Sequence, residues 1–276
     1  MAFWLKNAGC CFLRCVRALL LSILVVLLSG VIFENNLVYH PVKYPAGNWN
    51  PTQFPFEDIL FTSADGTSLH GWYVPHKAGK KHYGTVLFCH GNAGNLASRT
   101  EIIELLHNGG FSLFIFDYRG YGKSQGKPNE KGVLADAEAA RVWLSKKEKI
   151  AQKEIIVMGR SIGGAVAVHL ATAGAKGLVL ESTFDSLPRA AKIHYPFLPT
   201  RILMSNRFDS ISKIKKYQGP LLQSHGRQDQ IVPLILGKKL HQNAPGKKEW
   251  FEFAGGHNDA RTQDYRKKLL TFLQAL

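Results

Sequence analysis

A serine flanked by glycines, in Gly159-Arg160-Ser161-Ile162-Gly163, stands between the apolar run Ile155-Ile156-Val157-Met158 and the apolar stretch Ala165-Val166-Ala167-Val168. The first run reads as a buried strand and the second as a helix, so the chain turns sharply at Ser161. Such a turn strains the serine backbone and leaves no room for a nearby Cβ, which accounts for the flanking glycines. The N-terminus of the following helix also favours negative charge developing beside it. This is the pattern of a nucleophile elbow, although glycine-rich turns between strand and helix also serve packing alone.

The same alternation runs through the chain. Apolar runs at Val86 to Cys89, Leu113 to Phe116, Ile155 to Met158, Leu178 to Leu180, Leu221 to Leu222 and Trp250 to Phe253 are each followed by a glycine-rich or polar turn, and most by a helical stretch. They predict an α/β fold with a mostly parallel central sheet and helices on both faces. Val133, Ala137, Ala140 and Leu144 recur at helical spacing and mark one packed helix. Ile59-Leu60-Phe61 and Leu69 to Val74, separated by Asp65-Gly66, read as an antiparallel hairpin at the start of the sheet. A chain of 276 residues with 45% hydrophobic content suffices for one large core and is short for two. The segment 183–216, interrupted by Pro188, Pro196 and Pro199, is expected to form a short cap of one or two small helices, or else simply to finish the core.

A serine is a poor nucleophile at neutral pH and needs a base, which in turn needs a carboxylate to hold its tautomer. Asp229 lies in a loop just past the Leu221-Leu222 strand, and His257 follows the Trp250 to Phe253 strand within Gly256-His257-Asn258-Asp259. The chain order Ser161, Asp229, His257 is that of the α/β-hydrolase architecture. The oxyanion formed in acyl transfer requires two backbone N–H groups. Ile162, directly after the serine, supplies one. Asn92, in the loop His90-Gly91-Asn92-Ala93-Gly94-Asn95 after an earlier strand, supplies the other. Asp259 and Asp185 are weaker candidates for the acid. His90 and His225 are expected to stabilise loops near the site, Arg119 to hold a turn, and His169 to be structural. No Cys/His cluster has zinc-ligand spacing, so neither a metal nor a cofactor is implied.

With these residues in view, His90 to Asn95, Asp117-Tyr118-Arg119-Gly120-Tyr121-Gly122, Gly159 to Gly164 and Gly256 to Asp259 together resemble the bud-emergence-type α/β hydrolases. These are similar to the eukaryotic membrane-anchored hydrolase-domain proteins that include depalmitoylases. The resemblance covers residues 34 to 276, including the lead-in Glu34-Asn35-Asn36-Leu37-Val38-Tyr39-His40-Pro41. It implies the fold but not the substrate. Depalmitoylases carry a long palmitoylated cysteine cluster, whereas this chain has only Cys10, Cys11 and Cys15 near its N-terminus.

Those three cysteines fit either small apolar filler or S-acylation, and Cys89 alone lies in the domain, so no disulfide forms within it. They precede an uncharged leucine-, valine- and isoleucine-rich stretch over 18–33, itself preceded by a basic tail over 1–17 with Lys6, Arg14 and Arg17. The stretch is a little short of the roughly 20 residues that span a bilayer, but Phe12, Leu13, Cys15 and Val16 extend it. A transmembrane signal anchor is the reading preferred over a cleaved signal peptide, because Leu27 and Leu28 spoil the small-residue cleavage site near Ser29-Gly30. The positive flank puts the N-terminus in the cytoplasm and the catalytic domain, 34–276, on the periplasmic or luminal side.

The net charge of +15 is spread over scattered lysines rather than one recognisable module. It fits a solvated basic surface or attraction to an anionic membrane better than nucleic-acid binding. Oligomeric state is not legible. The expected activity is serine-dependent cleavage of an ester or thioester in a small-molecule or lipid-borne acyl substrate. Amide or peptide hydrolysis is the alternative within the class, and a non-catalytic membrane scaffold the alternative outside it.

Overall fold

The computed structural model describes residues 34–260 and 262–276, together with Arg17, Leu21, Ser29 and Gly30. In chain order its elements are α1 (Glu34–Val38), β1 (His40–Pro41), β2 (Glu57–Thr62), β3 (Ser68–Val74), β4 (Gly84–Cys89), β5 (Ala93–Gly94), α2 (Thr100–Asn108), β6 (Phe111–Asp117) and α3 (Glu130–Glu148). There follow β7 (Ile156–Arg160), α4 (Ile162–Ala171), β8 (Gly177–Glu181), α5 (Leu187–His194), α6 (Thr200–Leu203), α7 (Ser210–Ile214), β9 (Leu221–Gly226), α8 (Leu234–Gln242), β10 (Lys248–Phe253) and α9 (Gln263–Gln274).

Eight strands form one sheet in the order β10-β9-β8-β7-β4-β6-β3-β2. The six from β10 to β6 are mutually parallel, and the expected hairpin of β2 and β3 closes one edge antiparallel. Strands covered on both faces have no polar side to alternate with, which is why β6, β7 and β8 are buried along their whole length. One face packs against α3, α4 and α8 through residues such as Val133, Ala137, Val166 and Leu240. The other packs against α2 and α9 through Ile103, Leu106, Leu269 and Leu273. The predicted helix is α3: Val133, Ala137, Ala140 and Leu144 are all buried, and Asn129 caps it by accepting the Gly132 N–H.

One feature departs from the sequence expectation. The cap over 183–216 holds three short helices, α5, α6 and α7, rather than one or two. Pro196 and Pro199 lie between the first two, and Asp209 starts the third by accepting the Ser212 N–H. The lead-in packs onto the sheet's loops, for β1 pairs in parallel with β5, inside the loop that follows β4. Glu34 accepts the N–H groups of Ser205 and Asn206 at 2.8 and 2.9 Å. The Asn206 amide oxygen accepts from the Tyr39 hydroxyl and the Glu130 N–H, while its nitrogen donates to Asn35. The chain leading into the domain is thereby bolted to the end of the cap and to the start of α3. Among the described residues no helix is long and apolar enough to cross a membrane, and the span expected over 18–33 lies outside them apart from Leu21, Ser29 and Gly30.

Candidate active site

Ser161 links β7 to α4 with φ 53° and ψ −125°, a region L-residues rarely occupy. The surroundings hold it there. Its N–H donates to the Glu181 carbonyl at 2.9 Å, and its own carbonyl accepts from the Thr183 hydroxyl at 2.7 Å and from the Gly164 N–H at 2.9 Å. The flanking glycines are required by close approach: a Cβ on Gly163 would lie 2.1 Å from the Cys89 carbonyl oxygen, and one on Gly159 would lie 2.1 Å from that of Gly163. Ile162 opens α4, so its N–H is among the helix's first-turn donors, which have no partner within the helix.

The expected acid and base meet. His257 Nδ1 donates to Asp229 Oδ2 at 2.7 Å, and the other carboxylate oxygen accepts the N–H groups of Ile231 and Val232 at 2.9 and 2.8 Å. Burial alone would push the Asp229 carboxyl up. Hydrogen bonds from His225 and His257, the His257 charge and the Val232 N–H outweigh that and hold it well below the ordinary carboxylate range. His225 Nε2 donates to the Val232 carbonyl at 2.8 Å and sits 3.3 Å from Asp229 Oδ2. It thus braces the carboxylate, in the loop-stabilising role expected of it.

The loop after β4 abuts the elbow, for a Cβ on Gly91 would lie 3.5 Å from Ser161 Cβ. His90 Nδ1 donates to the Gly91 carbonyl at 2.7 Å. In a trans peptide the N–H points opposite to the C=O, so this bond turns the Asn92 N–H away from His90. Tyr121 donates to the Asn92 carbonyl at 2.7 Å, Tyr118 to the His90 carbonyl at 3.0 Å, and the Asn92 side chain to the Val38 carbonyl at 2.8 Å. The loop is pinned from two sides, by the turn after β6 and by the lead-in.

The residues given lesser roles fall outside the Asp229–His257 pair. Asp259 accepts the Gly256 N–H at 2.8 Å and closes the turn around His257. Asp185 is buried after β8 and pairs with Arg189; desolvation pushes its carboxyl up. Arg119 joins Asp136 and Asp65, each at 2.7 Å, and so ties α3 to the β2–β3 turn. His169 pairs with Glu138 at 2.7 Å on the outside of α4. Among the described residues no group of His, Cys, Asp and Glu could hold a metal.

Sequence reasoning missed Arg160. Its guanidinium donates to the His257 carbonyl at 2.7 Å and to Asn258 Oδ1 at 2.9 Å, so the residue before the serine holds the loop that carries His257. Its only signal was a cation at the end of an otherwise apolar, buried strand.

Residues 84–211 match the family described as the alpha/beta hydrolase fold. Over 263 residues, a Mycobacterium tuberculosis protein of uncharacterised function is 38% identical, covering 93% of both chains. An uncharacterised membrane protein of Saccharomyces cerevisiae is 31% identical over 84% of this chain and 85% of its own. An alpha/beta hydrolase domain-containing protein of Arabidopsis thaliana is 33% identical over 88% of each. In architecture the chain is similar to a Pyrococcus furiosus esterase, with a TM-score of 0.72 at 21% identity over 86% of this chain and 97% of the esterase.

Proposed function

The chain belongs to the α/β-hydrolase superfamily, and from that premise we propose that it is a membrane-anchored serine hydrolase that cleaves an ester or thioester. The observation that carries this reading is the part-buried Asp229–His257 hydrogen bond, held to the elbow by Arg160, the residue before Ser161. With Nδ1 committed to Asp229, the base offers Nε2 to the Ser161 hydroxyl. His257 takes that proton as Ser161 Oγ attacks the acyl carbonyl, and the tetrahedral oxyanion meets the N–H groups of Asn92 and Ile162. Collapse breaks the bond to the leaving oxygen or sulfur, which receives the proton from His257. Water, deprotonated by the same imidazole, then releases the acid and restores Ser161. None of these steps calls on a group beyond the chain and water.

An anchor over 18–33 is supported by its apolarity and by the description of the yeast relative as a membrane protein. Lys6, Arg14 and Arg17 favour a cytoplasmic N-terminus with the domain across the bilayer.

The test is fluorophosphonate labelling of the full chain beside Ser161→Ala, scored by mass on the peptide bearing position 161. Labelling at Ser161, lost in the variant, is expected. A folded chain that takes no label overturns the hydrolase reading in favour of a scaffold. Protease added to sealed cells reaches the domain if the topology is right.

A further inference from the structure

The cap carries an exposed apolar face with no partner among the described residues. Phe197 is 97% exposed and Ile202 81%, with Ile193 and Tyr195 beside them in the chain. The face extends in two directions. His194 Nε2 donates to the carbonyl of Ile231, itself exposed, so the cap rests against the loop that holds Asp229. At the other end, Ser205 and Asn206, a few residues past Ile202, are capped by Glu34, and Leu37 on the same short helix is 67% exposed. Glu34 is the residue at which the apolar 18–33 stretch ends.

The stretch that forms this face is basic, and the carboxylates that meet it, Glu34, Glu130 and Asp185, are taken up by backbone N–H groups or by Arg189. From 187 to 208 the chain has Arg189, Lys192, Arg201 and Arg207 and not one carboxylate. Lys192 spends its ammonium on the carbonyls of Pro196 and Leu198, which holds the turn that presents Phe197. Exposed aromatic and aliphatic side chains rimmed by cations form the pattern of a surface that lies in the headgroup region of an anionic bilayer. A monomer surface without such a partner rarely clusters its large apolar side chains in this way.

We propose that the cap docks on the lipid bilayer: Phe197, Tyr195, Ile193 and Ile202 enter the interface of the leaflet from which the 18–33 stretch emerges, with Arg201 and Arg207 against its anionic headgroups. The proposal rests on the anchor reading, since it is the bolt from Glu34 to Ser205 and Asn206 that sets the cap beside the point of exit. It gives the site its substrate class, an acyl ester or thioester presented by the membrane, because the docked face adjoins the loop of the catalytic carboxylate.

Full-length chain is reconstituted into vesicles of phosphatidylcholine and phosphatidylglycerol that contain a phosphatidylcholine with a diazirine on its acyl chain. After flotation and photolysis, lipid adducts are mapped on tryptic peptides. Adducts on the peptide over 193–201, lost in Phe197→Asp/Ile202→Asp, are expected. Floated wild-type chain with adducts only before Glu34 overturns the docking and leaves the anchor standing. Chain that does not float overturns both. Absence of lipid adducts over 193–201, with an added homobifunctional diazirine cross-linker joining those peptides of two chains instead, assigns the face to a second copy and overturns the proposal. The wild-type pattern decides the matter even if the variant fails to fold, and fluorophosphonate labelling reports the hydrolase chemistry separately.

Discussion

Arg160 ties two parts of the candidate site that the chain order keeps far apart, the elbow at Ser161 and the loop at His257. Arg160→Met keeps much of the side chain's apolar bulk and removes both hydrogen bonds. Because small misplacements of a catalytic group are expensive, it is expected to lower kcat roughly 10- to 100-fold with little change in KM, measured on any short-chain ester the wild type turns over. Asp229 makes a prediction about acid. Its carboxyl lies below the ordinary value in the folded chain, so the stability it contributes is fully present above the unfolded value, about 3.9, and is lost as pH falls through the folded one. The stability difference between wild type and Asp229→Asn should therefore be large at neutral pH and shrink on acidification below about pH 4. Urea midpoints of the two proteins at pH 7 and in that acid range check it, and a constant difference would refute it. His90 and His225 were legible as neighbours of the site from their place before glycines at strand ends, and Asp259 from lying two residues after His257. Arg160 was not, because nothing local tells a salt-bridging arginine from one that clamps a distant carbonyl.

At the scale of elements, the site depends on a piece of chain that lies far from it in sequence. The α1–β1 lead-in pairs with β5, next to Asn92, and through Glu34 and Asn206 it also holds the cap and α3. Asn206 is buried and makes hydrogen bonds to Tyr39, Asn35, Glu34 and Glu130. Asn206→Ala strands the Tyr39 hydroxyl and the Glu130 N–H, and is expected to lower unfolding free energy by about 1–3 kcal/mol by urea titration. An unchanged midpoint would mean that the lead-in is not coupled to the cap. The helix α3 was readable from its apolar period and the central strands from unbroken apolar runs, because burial on both sheet faces leaves a strand no polar side. A two-residue strand such as β1 has no period to read, and the cap's third helix depends on a cap at Asp209 that resembles any polar loop.

For the whole molecule, charge dominates. Three of the fifteen net positive charges, Lys6, Arg14 and Arg17, precede Glu34 with no acid among them, leaving twelve for 34–276. The chain from 34 onward, lacking the apolar stretch, should cosediment with anionic vesicles at low ionic strength. It should be released as the screening length contracts from ~10 Å at 0.1 M salt to ~3 Å at 1 M. The full chain should stay bound throughout. Release of the full chain by salt would argue against an anchor over 18–33.

The sequence by itself determined the parallel α/β sheet, the strand-to-helix turn at Ser161 and the order in which Ser161, Asp229 and His257, the proposed nucleophile, acid and base, follow one another. Each of these is written in local constraints: apolar runs long enough for a strand, glycines where backbones come within 2.1 Å of a missing Cβ, and polar residues at strand ends. Only the tertiary structure decided which side chains meet. That His257 bonds Asp229 rather than Asp185 or Asp259, that Arg160 grips the loop of the base, and that the lead-in bolts to the cap are all outcomes of how the strands are ordered across the sheet. Long-range contacts of this kind carry no periodic or local signature, because the energy that selects them is set by burial and hydrogen bonding between segments far apart in the chain.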